Sequence, residues 1–318
     1  MRGRDKVDRR VVVLGSCSVC HVFASPNLPN RGETVIGDDY HIVVGGKGSG
    51  QAIVACRLGS EVFMLEHLGD DAYGRREKES YREMGIHTEY VYLDKDCPTG
   101  TGGIFLDAQG QNKIIIVPGA NSNVSCRDID NMREVLQGAK ILGTQFEVPA
   151  ATVDYAIRTA DGMGVRTLLD PAPVTAFDES LYPHISIIKP NECEAAELTG
   201  IRVEDTDSAA RAGKWFLDKG VKEAAIITLG EKGAVLVTRQ GVKHFPGLTV
   251  KAVDTGGAGD TFAGALLAAL SRDWPLEKSI RYAQCASAIC VTRTGSYSMT
   301  RQEEVDRLFA ETYPCEAV

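Results

Sequence analysis

The residues with the most chemical potential lie close together in Ala252-Val253-Asp254-Thr255-Gly256-Gly257-Ala258-Gly259-Asp260-Thr261-Phe262-Ala263-Gly264-Ala265. Three glycines fall within four residues, where the backbone must approach something closely or take positive φ. Thr249, Val250 and Val253 give the stretch before them a β-branched character that predicts a strand over 249–253. Thr261 to Leu270 is rich in Ala and Leu, with Phe262, Leu266, Leu267 and Leu270 on or near one helical face. A glycine turn that opens a helix leaves N–H groups free at the positive end of the helix dipole, a place that suits an anion. Asp260 stands at that place. A carboxylate there is a poor phosphate ligand but a good candidate base beside one. Asp is equally a residue that caps helices, and spacing alone does not separate the two roles.

The elements that must position this stretch follow an α/β rhythm. An apolar run over 11–16 ends in Gly15-Ser16 and reads as a buried strand. Helices are expected over 50–58, 73–84, 129–136, 150–163, 192–198 and 208–219. Strands are expected over 61–65, 139–142, 166–169, 185–188 and 224–228, with a late hairpin at 234–237 and 243–245. Alternating strands and helices argue for a mostly parallel sheet with helices on both faces. Residues 34–44 and 100–117 read instead as antiparallel strands forming a small lid. One α/β domain over 11–300 with this lid is expected, followed by a C-terminal helix and tail over 301–318. The glycine-rich and polar motifs fall at strand carboxyl ends, where open α/β sheets bind ligands. Asp170-Pro171-Ala172-Pro173 is one of these, and also reads as a simple strand-ending turn.

Bulk properties narrow the class. The 318 residues carry a net charge of −8, with 43% hydrophobic and 25% charged residues. Nucleic acid and anionic membranes are not expected partners. No apolar run approaches the roughly 20 residues of a membrane span. The charged start, Met1-Arg2-Gly3-Arg4-Asp5-Lys6, runs into a strand without an apolar signal core, so a cytoplasmic location is expected. Nine cysteines are then read as free thiols. Cys17-Ser18-Val19-Cys20-His21 matches the haem-attachment string, but without an export signal or a second ligand pair it reads as strand rather than as haem or zinc site. No G-x-x-x-x-G-K-[ST] string occurs, which excludes a P-loop.

Seven motifs stand in order along nearly the whole chain: Gly45-Gly46-Lys47-Gly48-Ser49-Gly50-Gln51-Ala52, Gly69-Asp70-Asp71-Ala72-Tyr73-Gly74, Pro118-Gly119-Ala120-Asn121, Asp170-Pro171-Ala172-Pro173, Pro190-Asn191-Glu192-Cys193-Glu194, Thr228-Leu229-Gly230-Glu231-Lys232-Gly233 and Asp254 to Phe262. In this the chain resembles the ribokinase (PfkB-type carbohydrate kinase) family, and within it the ribokinases most. The resemblance implies a three-layer sandwich with a β lid, and ATP-dependent phosphorylation of a hydroxymethyl group on a sugar-like acceptor. It implies Asp260 as the base and Gly257, Ala258 and Gly259 as the cradle for the transferring phosphate. It places Asn191, Thr228, Gly230, Gly233, Gly257, Gly259 and Gln284 at ATP, and Glu194 at Mg²⁺. It places Asp254, Gly256, Val291, Thr294 and Ser296 at a K⁺ site, and Ser18, Cys20, Gly45, Gly46, Lys47, Gly50, Glu147 and Asp260 at the acceptor. It also implies a homodimer joined through the lids.

The acceptor positions depart from the family pattern. Ribokinases carry Asn and Asp where this chain has Ser18 and Cys20, and Asn where it has Gly50. Losing a hydrogen bond to a charged group costs about 1.5–3 kcal/mol, and a pocket built to pair hydroxyls discriminates sharply. D-ribose is therefore expected to be a poor substrate. The room at Gly50 suits a bulkier acceptor, such as a branched or modified sugar or a nucleoside. Alternatives are a nucleoside kinase, for which Phe23, Tyr40 and Phe105 are the available stacking rings, and a non-catalytic sensor, which has no need of the base.

Overall fold

A computed structural model describes residues 9–109, 111–294 and 300–316. Ser296, expected at the potassium site, lies outside the described residues. Along the chain the elements are β1 (Arg10–Leu14), β2 (Ser18–Ala24), β3 (Asp39–Gly45), α1 (Lys47–Arg57), β4 (Glu61–Gly69), α2 (Ala72–Met84), β5 (Val91–Asp94), β6 (Thr101–Leu106), β7 (Asn112–Val117), α3 (Cys126–Asn131), α4 (Arg133–Gln137), β8 (Ile141–Thr144), α5 (Ala150–Gly162), β9 (Arg166–Leu169), β10 (Ile187–Ile188), α6 (Glu192–Thr199), α7 (Thr206–Asp218), β11 (Ala224–Thr228), β12 (Ala234–Thr238), β13 (Gly241–Phe245), α8 (Ala258–Leu270), α9 (Leu276–Val291) and α10 (Gln302–Thr312).

Nine strands form the large sheet in the order β13-β12-β11-β10-β9-β8-β1-β4-β5. All neighbours are parallel except the β11–β12 and β12–β13 pairs at one edge. The sequence of β1 explains its central place. Val11 and Val13 point into one apolar cluster, with α1, α8, α9 and α10; Val12 and Leu14 point into the other, with α3, α5 and α7. A strand buried on both faces must be apolar at every position, and Val11 to Leu14 are fully buried. This is the three-layer α/β sandwich that the rhythm of the sequence predicts. Val305 and Phe309 of α10 belong to the same cluster as α8 and α9, so the chain past residue 300 packs into this domain.

The lid is a separate four-stranded sheet, β3-β2-β6-β7. Two antiparallel pairs, β2–β3 and β6–β7, are joined by a parallel pairing of β2 with β6. The stretch 18–24 thus supplies a lid strand rather than prolonging β1, and residues 34–38 precede the strand that 34–44 predicts.

Two other expectations need correction. Residues 249–253 form no strand. Val250 and Val253 are exposed, and the N–H groups of Val253 and Asp254 donate to the carbonyl of Val291 at 2.7 and 3.2 Å instead of to a neighbouring strand. The helix expected over 129–136 is two short helices, α3 and α4, broken at Met132. No described helix is long and apolar enough to cross a membrane.

Candidate active site

The carboxyl ends of parallel strands deliver most of the polar groups. Ser16 follows β1, Glu147 follows β8, Asp170 follows β9, Lys189 follows β10, and Thr228 ends β11. Two helix starts close over this edge. At the first, Gly46 (φ 98°) precedes α1, and a Cβ there would lie 2.6 Å from the Ser16 carbonyl oxygen and 2.7 Å from Cys17 Cα. Only glycine lets the chain turn into α1 against the end of β1. The Ser49 N–H then donates to the Ser16 carbonyl at 2.8 Å. The Lys47 N–H (2.8 Å) and the Ser16 hydroxyl both donate to Glu147 Oε2.

At the second helix start, Gly257 (φ 75°) precedes α8 with no side-chain cap. Asp260 is the third residue of the helix, so it does not cap it. The first turn of a helix has N–H groups without intrahelical acceptors. Here Ala258 turns its N–H back to the Thr255 carbonyl, at 3.3 Å. A Cβ placed on Gly259 would meet nothing within 4 Å, so the cradle opens outward and has room for an anion.

Close packing of the two helices brings their polar residues together. A Cβ on Gly264 of α8 would come within 2.6 Å of the Gln51 carbonyl oxygen and 2.7 Å of Val54 Cβ on α1. One turn before Gly264, Asp260 faces α1: Lys47 Nζ lies 3.9 Å from Asp260 Oδ1, and Gln51 Nε2 lies 3.4 Å from the same atom. Gln51 Nε2 also donates to Asp170 Oδ2 at 2.9 Å, and Asp170 pairs with Lys189 Nζ at 3.1 Å. Gln145 Nε2 donates to Gln51 Oε1 at 2.6 Å. Burial, with Asp170 and Glu147 nearby, pushes the Asp260 carboxyl up to about 6 against the opposing pull of Lys47 and Lys189. Burial works to lower Lys47, but Asp260, Asp170, Glu147 and Glu194 outweigh it and hold the ammonium above its ordinary range. A carboxylate that ionises close to neutrality is suited to proton removal.

The nucleotide-side residues fall on the same edge. Asn191 caps α6 in a reciprocal box with Glu194: its Oδ1 accepts from the Glu194 N–H at 2.9 Å, while its own N–H and Nδ2 donate to the Glu194 carboxylate at 2.8 Å each. A backbone bridge ties Asn191 to Thr228. Gly230 (φ 53°) and Gly233 (φ 97°) shape the loop after β11. Gln284 is buried and donates to the carbonyls of Phe245 and Pro246, at 2.9 and 3.2 Å. Those two residues pack against Gly233, so Gln284 is placed as a prop for the loop.

The potassium expectation fits poorly. The Val291 carbonyl accepts from two N–H groups, those of Val253 and Asp254, which uses both its lone pairs. Asp254 Oδ1 accepts from the Gly256 N–H at 2.8 Å. Thr294 is exposed. Among the described residues this leaves Asp254 and the Gly256 carbonyl for the ion, fewer ligands than it takes.

On the lid, Ser18 pairs with Gly45 and Cys20 with Val43. Both Ser18 and Cys20 are buried. Gly50 is buried in the first turns of α1. Burial and the Glu147 carboxylate push the Cys20 thiol up, so it is a neutral group on the face turned toward Glu147. Successive strand residues alternate faces. Phe23, Tyr40 and Phe105 therefore cluster on the opposite face, Phe23 lying 5.1 Å from Tyr40 and 5.6 Å from Phe105 between ring centroids.

Gln51 and Asp170 stand in the sequence motifs without a role of their own, and Gln145 and Lys189 are not among the expected site residues. The available signals were slight: Gln51 lies one helical turn beyond Lys47, and Asp170 and Lys189 both stand at ends of apolar runs.

Comparison with known proteins agrees with this fold. The chain is 38% identical over 303 residues to a ribokinase of Haemophilus influenzae, covering 94% of this chain and 98% of that protein. It is 35% identical over 289 residues to a deoxyribokinase of Salmonella typhi, covering 91% and 94%. The structure of Arabidopsis thaliana ribokinase complexed with ribose and ATP superposes with a TM-score of 0.88 at 30% identity, covering 94% of this chain and 98% of that one. The model of the pfkB family carbohydrate kinases matches residues 8–303, and the chain belongs to that family.

Proposed function

We propose that this protein transfers the γ-phosphoryl group of ATP to the hydroxymethyl group of a sugar or sugar-like acceptor other than D-ribose, with Asp260 as the base. The observation that carries this is the Asp260 carboxylate, held between Lys47 and Gln51 in the first turn of an uncapped helix whose glycine cradle is open. Phosphoryl transfer needs a cradle for the phosphate, positive charge beside it and a group to orient the nucleophile. The N–H groups of Gly257 and Gly259 form the cradle, while the Ala258 N–H, expected there as well, is turned to the Thr255 carbonyl. Asp260 accepts the acceptor's hydroxyl proton as the new oxygen–phosphorus bond forms and the bond to ADP breaks. Lys47, 3.9 Å from Asp260, offsets negative charge on the side of the incoming oxygen. Thr228, Gly230 and Gly233 line the nucleotide, with Gln284 supporting their loop.

Glu194 fits Mg²⁺ held through water. Its carboxylate is fixed by Asn191 yet keeps lone pairs, and Mg²⁺ retains several waters when few carboxylates bind it. The ion supplies charge neutralisation on the phosphates.

At the acceptor, Gly45, Gly46, Lys47 and Glu147 remain, while Ser18, Cys20 and Gly50 replace groups that pair hydroxyls. The neutral Cys20 thiol cannot act as a charged acceptor. The aromatic cluster faces away from Cys20, so it offers a nucleoside base no platform, which favours a sugar over a nucleoside. The exposed Ile42, Ile114, Ile115, Ile116 and Val117 on lid strands support a homodimer joined through the lids. A single monomeric species in sedimentation at micromolar concentration is the result that removes the dimer. Nine free cysteines suit a reducing cytoplasmic setting.

The test is ADP release from ATP and Mg²⁺, with and without K⁺, against a panel of pentoses, deoxypentoses, hexoses, branched sugars and nucleosides. Turnover of a sugar other than ribose is expected. Efficient turnover of ribose discards the pocket argument, and a nucleoside as best acceptor installs the alternative.

A further inference from the structure

Beneath the base lies a buried polar chain to which neither the family motifs nor the phosphoryl-transfer scheme gives a task. Its members come from different parts of the fold: Gln145 after β8, Gln51 on α1, Asp170 after β9 and Lys189 after β10. All four are buried, with side-chain exposures of 3% for Lys189 and 2% for Asp170. Gln145 Nε2 donates to Gln51 Oε1 at 2.6 Å, which fixes which end of the Gln51 amide points at the site. A primary amide has two N–H donors. Gln51 turns one toward Asp170 Oδ2 (2.9 Å) and the other toward Asp260 Oδ1 (3.4 Å), so one side chain spans two carboxylates. The more deeply buried carboxylate, Asp170, carries its own counter-charge in Lys189 at 3.1 Å.

We infer that Gln51 is a positioning residue for the Asp260 carboxylate, oriented by Gln145 and anchored on the Asp170–Lys189 ion pair, and that each charge of this pair shields Asp260 from the other. The inference rests on the reading of Asp260 as the base and adds to it the groups that tune it. Burying an ion pair is costly, and replacing it with apolar residues is often neutral or stabilising. A pair kept just below a carboxylate that must change protonation has a use that packing does not supply. The groups facing Asp260 are Lys47 from α1, Glu147 after β8, Asp170, Lys189 and, from α9, the buried Cys290. Lys189 favours the ionised form and Asp170 opposes it, so intact they offset each other at Asp260.

That offset makes opposite single changes separable from mere damage. In Asp170→Asn the Lys189 charge is uncompensated, and the titration of Asp260 is expected to move down by about one pH unit. In Lys189→Met the Asp170 charge is uncompensated, and it is expected to move up by about one unit. The double variant carries neither charge and is expected to return to within a few tenths of the parent. Gln51→Met removes the donor to Asp260 and is expected to move the titration up while lowering kcat more than it raises KM.

The readout is carbon-13 NMR of the aspartate carboxyls in the full chain, with the Asp260 signal assigned by its loss in Asp260→Asn, beside the acid limb of kcat/KM for whichever acceptor is turned over. Single variants that shift Asp260 in the same direction, or not at all while Tm falls, overturn the inference and leave these residues as scaffold. Absence of turnover with every acceptor strikes the kinase reading instead, and the carboxyl titration still decides the positioning role without it.

Discussion

Two polar clusters are buried against α1, and they handle buried charge in opposite ways. Gln51 and Ser49 stand two residues apart, about 200° around the helix. On the Gln51 side, carboxylates meet cations and amides: Asp170 with Lys189, and Asp260 with Lys47 and Gln51. On the Ser49 side are Glu66 of β4, Glu77 and Tyr81 of α2, and Cys17, all buried. There the hydroxyls of Ser49 and Tyr81 and both carboxyl oxygens of Glu66 make no well-formed hydrogen bond among the described residues, although Tyr81 lies close enough to Glu66 and Ser49 to interact with both. Burial and the neighbouring Glu77 push Glu66 well above the carboxylate range, and burial pushes Glu77 up to about 7. Burial and the two glutamates push the Cys17 thiol up as well. The difference lies in the counter-charges. Where Lys47 and Lys189 sit against the carboxylates, a buried acid can work as a base near neutrality; where Lys78 and Arg76 only partly offset burial, Glu66 holds its proton more tightly and Glu77 titrates near 7.

The comparison breaks most visibly at Asp260. Asp260→Asn leaves the fold's contacts nearly intact but removes the base, and turnover is expected to fall by about 10²- to 10⁴-fold with little change in Tm. In the parent protein, kcat/KM is expected to decline as pH falls through about 6, because protonation of the raised Asp260 carboxyl removes the acceptor for the hydroxyl proton. An acid limb that persists unchanged in Asp260→Asn contradicts that assignment.

Next in size is the cost of splitting the pair on the charged side. Lys189→Met leaves Asp170 buried without its cation, and chemical denaturation is expected to show a loss of about 3 kcal/mol. If the loss is below about 1 kcal/mol, Asp170 is compensated by Gln51 alone and the ion pair is not what keeps the cluster charged.

The other side predicts stability that depends on pH in the reverse sense. Glu77 titrates near 7 when folded and near 4.5 when unfolded, so the folded state binds more protons between those values. Stability from this group therefore falls as pH rises from about 4.5 to 7, and the penalty is complete above 7. Glu77→Gln is expected to match the parent near pH 4 and to exceed it by roughly 2–3 kcal/mol at pH 8. Equal stabilities at both pH values show that Glu77 is ionised in the fold. The two clusters thus pull against each other over pH 6 to 7: the base needs to lose its proton over the range in which the second cluster prefers to keep its own.

These two clusters also mark what the sequence makes legible. The glycine turns at Gly46 and Gly257 announce themselves, because positive φ and close backbone approach leave a residue-type signature. Strands such as β9 and β11 are read to the residue, since burial on both faces demands unbroken apolar runs. Asp260, Lys47, Asn191 and Glu194 are visible through their motifs. Gln51 and Gln145 are not, because a glutamine on an amphipathic stretch reads as solvent-facing until one knows that Gly264 lets α8 press against α1. Glu66 hides in the same way within β4. Residues 249–253 mislead for the converse reason: their β-branched side chains promise a strand, but their N–H groups are taken by Val291 and no sheet edge receives them.

The smallest effect is expected at Tyr81, and it tests whether the second cluster is truly uncompensated. Its hydroxyl is fully buried and makes no well-formed hydrogen bond among the described residues, although it lies beside Glu66 and Ser49. A buried hydroxyl lacking a partner forfeits its hydration, so deleting it should be neutral or stabilising. Tyr81→Phe is expected to change stability by less than about 1 kcal/mol, toward the folded state, and to leave Asp260's titration where it was. The opposite sign is instructive. A loss above about 1.5 kcal/mol means that the hydroxyl serves Glu66 or Ser49 as a donor. In that event the two sides of α1 differ in the strength of their compensation rather than in its presence. The alkaline gain of Glu77→Gln should then shrink in the Tyr81→Phe background, because the two side chains share one network and their effects cease to add.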